Sequence, residues 1–297
     1  MTARRAVFHA DDLGMSHGAN AAFAELSAFG TITAGAVMVP CPWFPELAAM
    51  ARADPTLDIG VHLTLTSEMP GYRWRPLTHP ASSAGLTDPA GYFHPDVATL
   101  RRRADPVAVE AELRAQIEAA LAAGIDVTHL DDHMGAVLAP EFADIYVRTA
   151  TDYRLPLVMC PAFADYGGQH NLQDVTETAF AAGVAQARRA GFALFDRIAE
   201  TDWHPDGPPG AVARAMISDL PAGLSYLALH VTRPDDIAAI DPGFHAIRTA
   251  EYDLYRTAAF RDWLTAQDIE LLGMRPLREA RRAPNERNTT WTASASA

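Results

Sequence analysis

The sequence predicts a parallel α/β fold of about seven or eight strands closing in a barrel-like way. Two observations predict it. Short apolar runs alternate with helix-period segments along nearly the whole chain. The Asp and His residues able to do chemistry fall at the ends of the predicted strands, and in parallel α/β folds the C-terminal strand ends form the ligand-binding face.

Residues 6–10 (AVFHA) read as the first strand. Ser16 then caps a helix over 19–29 that Gly30 ends. A second strand covers 34–39 (AGAVMV), a helix 44–53, and a third strand 58–65 (DIGVHLTL). Residues 67–105 break the rhythm: they are rich in Pro, Gly and Ser and carry Tyr72, Trp74, Tyr92 and Phe93. Long irregular insertions of this kind often serve function. Asp105-Pro106 opens a helix running to 123 and stopped by Gly124. A fourth strand is expected at 127–130, a helix at 141–151 and a fifth strand at 155–159. Beyond these come a helix at 175–190, a short strand at 193–195, a helix at 208–219 and a strand at 224–231 (LSYLALHV). A helix at 245–266 and a last strand at 269–272 complete the pattern. Residues 1–280 thus form one domain with the 67–105 insertion, and the polar tail 281–297 is expected to be disordered.

A chain of 297 residues can bury about three quarters of its unfolded surface. Composition is that of a globular protein, 49% hydrophobic and 21% charged. The net charge of −13 disfavours nucleic acid and anionic membrane surfaces, which need clustered cations. All 24 basic residues are arginine, so a phosphate-loop lysine, a Schiff-base lysine and a Ser–Lys dyad are excluded. Cys41 and Cys160 form no metal-type pair and read as reduced thiols. No secretory segment or apolar run of membrane-spanning length is seen, so a soluble, cytoplasmic protein is expected.

Asp11 and Asp12 end the first strand, His62 lies late in the third, His129, Asp131 and His133 end the fourth, and His230 sits near the end of 224–231. A single histidine in a strand is more often structural. Several elements delivering Asp and His to one rim point instead to a shared site. Two histidines and a carboxylate suit a divalent metal with positions left for water and substrate. A remaining carboxylate can then act as general base and a remaining histidine as general acid. There is no G-x-S-x-G elbow, and the turn after the first strand is acidic rather than glycine-rich, which disfavours phosphate.

The segments HADDLGMSHGAN (9–20), GTITAGAVMV (30–39), DIGVHLTLT (58–66) and THLDDHMG (128–135) resemble the YdjC-like carbohydrate deacetylases, a family that includes chitooligosaccharide and hopanoid-type deacetylases. The resemblance runs from about residue 5 to 275 in motif order and spacing. It implies an irregular (β/α) barrel of about seven strands, one divalent metal ion (zinc or magnesium first, then manganese, cobalt or iron) and a homodimer. Matched residue by residue, Asp12, His62 and His133 fall on the metal ligands, Asp11 on the general base and His230 on the general acid, with His129 and Asp131 in support. The chain departs from the family pattern at His9, where asparagine is usual, at Met134-Gly135-Ala136 and at Val231-Thr232-Arg233 after His230.

The expected activity is removal of an acetyl group from an N-acetylated sugar or sugar conjugate. The metal would polarise the acetyl carbonyl and activate water, and Trp74 is a candidate platform for stacking on the sugar. The alternatives are another metal-dependent amidohydrolase or phosphoesterase on the same residues, or a non-catalytic carbohydrate-binding homologue. The expected partner is a small carbohydrate, with no nucleic acid and no membrane insertion.

Overall fold

In a computed structural model, residues 3–283 are described. Seven strands form one sheet: β1 (Arg4–Leu13), β2 (Ala34–Val37), β3 (Ile59–Leu63), β4 (Leu130–Asp132), β5 (Arg197–Glu200), β6 (Gly223–Leu229) and β7 (Glu270–Leu271). Their order is β4-β3-β2-β1-β6-β5, with β7 alongside the start of β1, and every pairing is parallel. The sheet curls into a half-barrel. Parallel sheets bury both faces, and in β1 Ala6, Val7, Phe8 and Ala10 are fully buried along with His9.

The first helix (His17–Phe29) begins and ends as its sequence dictates. Ser16 accepts the Ala19 N–H, and Gly30 takes the left-handed conformation that closes the last turn. Asp105 likewise caps the helix Pro106–Ala122. One face of that helix anchors the insertion. Glu112 accepts from the Leu77 and Thr78 amides and the Thr78 hydroxyl, and Gln116 bonds both backbone groups of Thr64. The insertion also contains a helix, Val97–Arg103, absent from the sequence expectation.

Other expectations are corrected. Residues 155–159 form no strand, because Pro156 lacks an N–H for a ladder. The segment still bridges the gap between edges: the Leu130 N–H donates to Pro156, the Val158 N–H to Leu130 and the Phe195 N–H to Met159. Strand β4 lies further along than 127–130, because its last residues are two buried aspartates whose type reads as a turn. The strand expected at 193–195 is instead β5, since Phe195 turns toward Met159 and the Asp196 carboxylate receives the Leu224 N–H. The helix expected over 245–266 is two helices, His245–Tyr255 and Ala258–Thr265, with Thr257 capping the second through Phe260 N–H. Ile237–Ile240 is a further short helix. Arg281 and Arg282 close the helix Arg275–Arg282 rather than opening the tail. The tail expectation from residue 284 onward lies outside the described residues. Among the described residues no helix is long and apolar enough to cross a membrane, and Cys41 and Cys160 are buried and free.

Candidate metal centre and active site

In a regular strand, Asp11 and Asp12 would point to opposite faces. Here the β1–β2 register shifts between Ala10 and Leu13, and Asp12 sits at φ 59°. This bulge in the left-handed region breaks the alternation, and both carboxylates line the same cavity. Strand β3 delivers His62. After β4 the chain turns sharply through Met134 (φ 60°) and Gly135 (φ 69°), which brings His133 to the rim.

Asp12 Oδ1 lies 3.2 Å from His133 Nδ1 and 3.5 Å from His62 Nε2. These atoms lie within 4.8 Å of one another. Asp12 Oδ1 is buried, yet it makes no hydrogen bond of acceptable geometry with either ring. The far ring nitrogens are both backed by carboxylates. His62 Nδ1 meets Asp131 Oδ2 at 3.0 Å, and His133 Nε2 meets Glu68 Oε1 at 3.0 Å. A ligating histidine usually donates its other N–H to such a carboxylate, which fixes the tautomer and turns the opposite lone pair toward the metal. The orphaned oxygen and the two backed imidazoles fit a divalent cation.

His9, Asp11 and Asp131 form a second buried group that could hold a metal. Its donors are already engaged. His9 Nδ1 bonds Asp11 Oδ1 at 2.6 Å, and Asp131 Oδ2 also receives the Tyr226 hydroxyl at 3.0 Å. Behind it, His9 Nε2 meets His129 Nε2 at 2.9 Å, and His129 Nδ1 meets the Thr128 hydroxyl at 2.9 Å. His129 therefore touches the site only through His9. Its ring lies over Gly60, where a Cβ would fall 2.5 Å from His129 Cε1.

Electrostatics follow from this crowding. Burial alone would raise Asp12, but the Arg248 guanidinium, 2.8 Å from its Oδ2, and the two imidazoles hold it well below the usual carboxylate range. Burial and then the Asp131 charge push Asp11 well above that range. Asp131 itself is held low by His62 against the burial effect. Burial would lower His133, yet Glu68 and Asp12 raise it to about 9, and Asp12 and Asp131 similarly raise His62. His230 is pushed down to about 3, first by burial. Its Nε2 stands 3.9 Å from Asp11 Oδ2 and 4.0 Å from Asp12 Oδ2. Burial and then Asp11 raise Glu200, at the end of β5, to about 8.

The site opens into a cavity of about 1180 Å³, beyond the roughly 300–1,000 Å³ of ordinary small-molecule pockets. Tyr166, Trp203 and Phe244 supply aromatic surface, and Glu200, Asp202 and Asp206 acidic surface. Trp74 offers no stacking face: it is 2% exposed, donates Nε1–H to Thr66 O and packs against His133.

The structure thus gathers all five sequence-identified residues, Asp11, Asp12, His62, His133 and His230, around one cavity. Sequence reasoning missed Glu68, Thr201, Tyr226, Arg248 and Glu251. Only Arg248 and Glu251 carried a signal, an i, i+3 charged pair on one helix face.

A family model described as YdjC-like protein matches residues 5–266. The chain belongs to the YdjC-like family. This YdjC-like protein is 46% identical over 153 residues to a carbohydrate deacetylase of Thermus thermophilus, across 51% of this chain and 52% of the relative. It is 24% identical over 245 residues to a carbohydrate deacetylase of Thermoanaerobacter pseudethanolicus, across 82% of this chain and 88% of the relative. The match spans about half the length of the Thermus relative. The fold is shared with the crystal structure of a putative cellobiose-phosphate cleavage protein from Enterococcus faecalis. That likeness has a TM-score of 0.74 and 20% identity over 93% of this chain and 99% of that one.

Proposed function

We propose that this YdjC-like protein is a metal-dependent hydrolase that removes the acetyl group from an N-acetylated sugar or sugar conjugate. The observation that carries the reading is Asp12 Oδ1, buried without a hydrogen bond between two imidazoles that are each backed by a carboxylate. Asp12, His62 and His133 would hold the ion. A divalent metal there supplies Lewis-acid polarisation of the acetyl carbonyl and a water more acidic than bulk water.

The chain's own groups do the rest. Asp11 accepts the proton of the attacking water, with His9 orienting its carboxyl through Oδ1 and leaving Oδ2 facing the cavity. A nearby dication favours the carboxylate form that burial opposes in the metal-free protein. His230 protonates the departing amine. Arg248 orients Asp12 while neutralising part of the buried negative charge. The homologues named carbohydrate deacetylases support the substrate class. The acidic cavity wall favours neutral or amine-bearing sugars over phosphorylated ones.

The test is bound metal per chain, by elemental analysis of wild type and His133→Ala, followed by acetate release over a panel of N-acetylated sugars. About one divalent ion, lost in the variant, with acetate released from at least one sugar, supports the reading. A wild type that takes up no metal after reconstitution removes it.

A further inference from the structure

We infer that Glu251, acting through the Thr201 hydroxyl, fixes His230 with its proton on Nδ1 and its Nε2 lone pair turned into the site. His230 Nε2 then takes up the proton that Asp11 removes from the attacking water and delivers it to the leaving amine. The inference rests on the deacetylase reading above.

The argument is one of hydrogen-bond direction. His230 Nδ1 lies 2.8 Å from Thr201 Oγ1, and that oxygen lies 3.0 Å from Glu251 Oε2. The His230 backbone N–H also points at Glu251 Oε2, at 2.9 Å, and at Thr201 Oγ1, at 3.2 Å. A threonine hydroxyl has one proton to give. Of its two candidate acceptors the carboxylate is the stronger, and the backbone N–H converging on the same oxygen marks Glu251 as the acceptor end. The Thr201 proton therefore goes to Glu251, and Thr201 Oγ1 accepts from His230 Nδ1–H. Only Nε2 is left without a proton, and it faces Asp11 and Asp12.

The surroundings hold this arrangement. Trp203 packs edge-on against the His230 ring, with centroids 4.5 Å apart. Arg248, one turn before Glu251 on the same helix, is committed to Asp12 and Asp241. It does not compete for Thr201. Burial raises Glu251 to about 7, and the donors from His230 and Thr201 oppose that rise.

The proton balance closes without an outside donor. Water attacks the carbonyl carbon and gives up one proton to Asp11 Oδ2. The C–N bond breaks with its electron pair on nitrogen. Asp11 hands that proton to His230 Nε2, 3.9 Å from its Oδ2, and His230 delivers it to the nitrogen; acetic acid leaves and loses its remaining proton to solvent as acetate. While Nε2 is protonated, the ring's second N–H keeps donating toward Thr201 and Glu251, as an orienting carboxylate does in other hydrolytic sites. Thr201 and Glu251 are positioning residues.

The test combines a spectroscopic and a kinetic readout. Long-range 15N–1H spectra of the as-purified protein at pH 8, with His230 assigned by comparison with His230→Ala, should show the Nδ1–H form in wild type and Thr201→Ser. Thr201→Val, which keeps shape but removes the hydroxyl, should move the ring toward the Nε2–H form. In acetate release, Thr201→Val and Glu251→Gln should lower kcat about 10–100-fold, on the lower side of general acid–base effects, with KM changed less than about twofold. Thr201→Ser should recover most of the loss. An Nε2–H wild type, or unchanged kcat in both Thr201→Val and Glu251→Gln while His230→Ala is impaired, overturns this inference and leaves the deacetylase reading standing. Full activity in His230→Ala removes the acid role and the inference together.

Discussion

Metal binding should be coupled to proton release, by an amount that can be worked from the site. In the metal-free protein Glu68 and Asp12 raise His133 to about 9, so at pH 7 its ring carries a second proton. Asp12 and Asp131 raise His62 in the same direction. Both rings must be neutral on the ligating side to bind an ion. For a group held up in this way, the competing proton is fully present below the raised value and is lost as pH passes it. At pH 7 His133 lies about two units below its own titration, a cost of roughly 2.7 kcal/mol or about a hundredfold in affinity. Affinity should therefore climb about fiftyfold from pH 7 to 9 through His133 alone, nearly tenfold per unit at first and flattening near 9, and more steeply where His62 also titrates. The assay is calorimetric titration of the metal-free protein with zinc in buffers of different ionisation enthalpy, which counts protons released. Between one and three protons per ion are expected at pH 7, from His133, His62 and Asp11, with one fewer in any binding that survives His133→Ala. Equal affinity at pH 7 and 9, or no proton release, would mean that the ion does not displace these protons, and the Asp12–His62–His133 site would be wrong.

Three further outcomes follow from the geometry. Asp11→Asn should bind metal as wild type does but lose about 10²–10⁴ in kcat; turnover near wild type would remove Asp11 from the role of base. Glu68→Ala takes away the carboxylate behind His133 Nε2 and should weaken metal affinity about 10–100-fold; an unchanged dissociation constant by competition with a chromogenic chelator would count against that backing. Gly60→Ala places a methyl group within 2.5–2.6 Å of three His129 ring atoms and should cost about 1–3 kcal/mol in urea unfolding; a neutral result would mean that the His129 ring has room to move.

Much of the fold was legible in the sequence. The helix His17–Phe29 begins and ends where Ser16 and Gly30 place it, and Asp105-Pro106 opens the longest helix, because caps are local chemistry. The buried strands β3 and β6 and the buried part of β1 from Ala6 read directly as apolar runs. Strands β4 and β5 did not, because their pairing residues are charged: Asp131 and Asp132 in one, Arg197 and Glu200 in the other. Hydrophobic periodicity carries no signal for a short strand whose residues are charged. The 245–266 helix was read as continuous because a threonine in a helical pattern does not announce that it is a cap.

The sequence by itself determined which elements end in Asp and His, and hence that Asp11, Asp12, His62, His133 and His230 share a rim. Parallel strands put their C-terminal ends on one side whatever their order. Tertiary structure decided how those residues divide the chemistry. The bulge at Asp12 turns two adjacent carboxylates into one cavity. Glu68 arrives behind His133 from an insertion, and Arg248 and Glu251 reach Asp12 and His230 from a helix more than two hundred residues along the chain from β1. Such partners are set by distance in space, and a buried charge is stabilised by whatever opposite charge or donor the fold brings within about 3 Å, irrespective of its position in the chain.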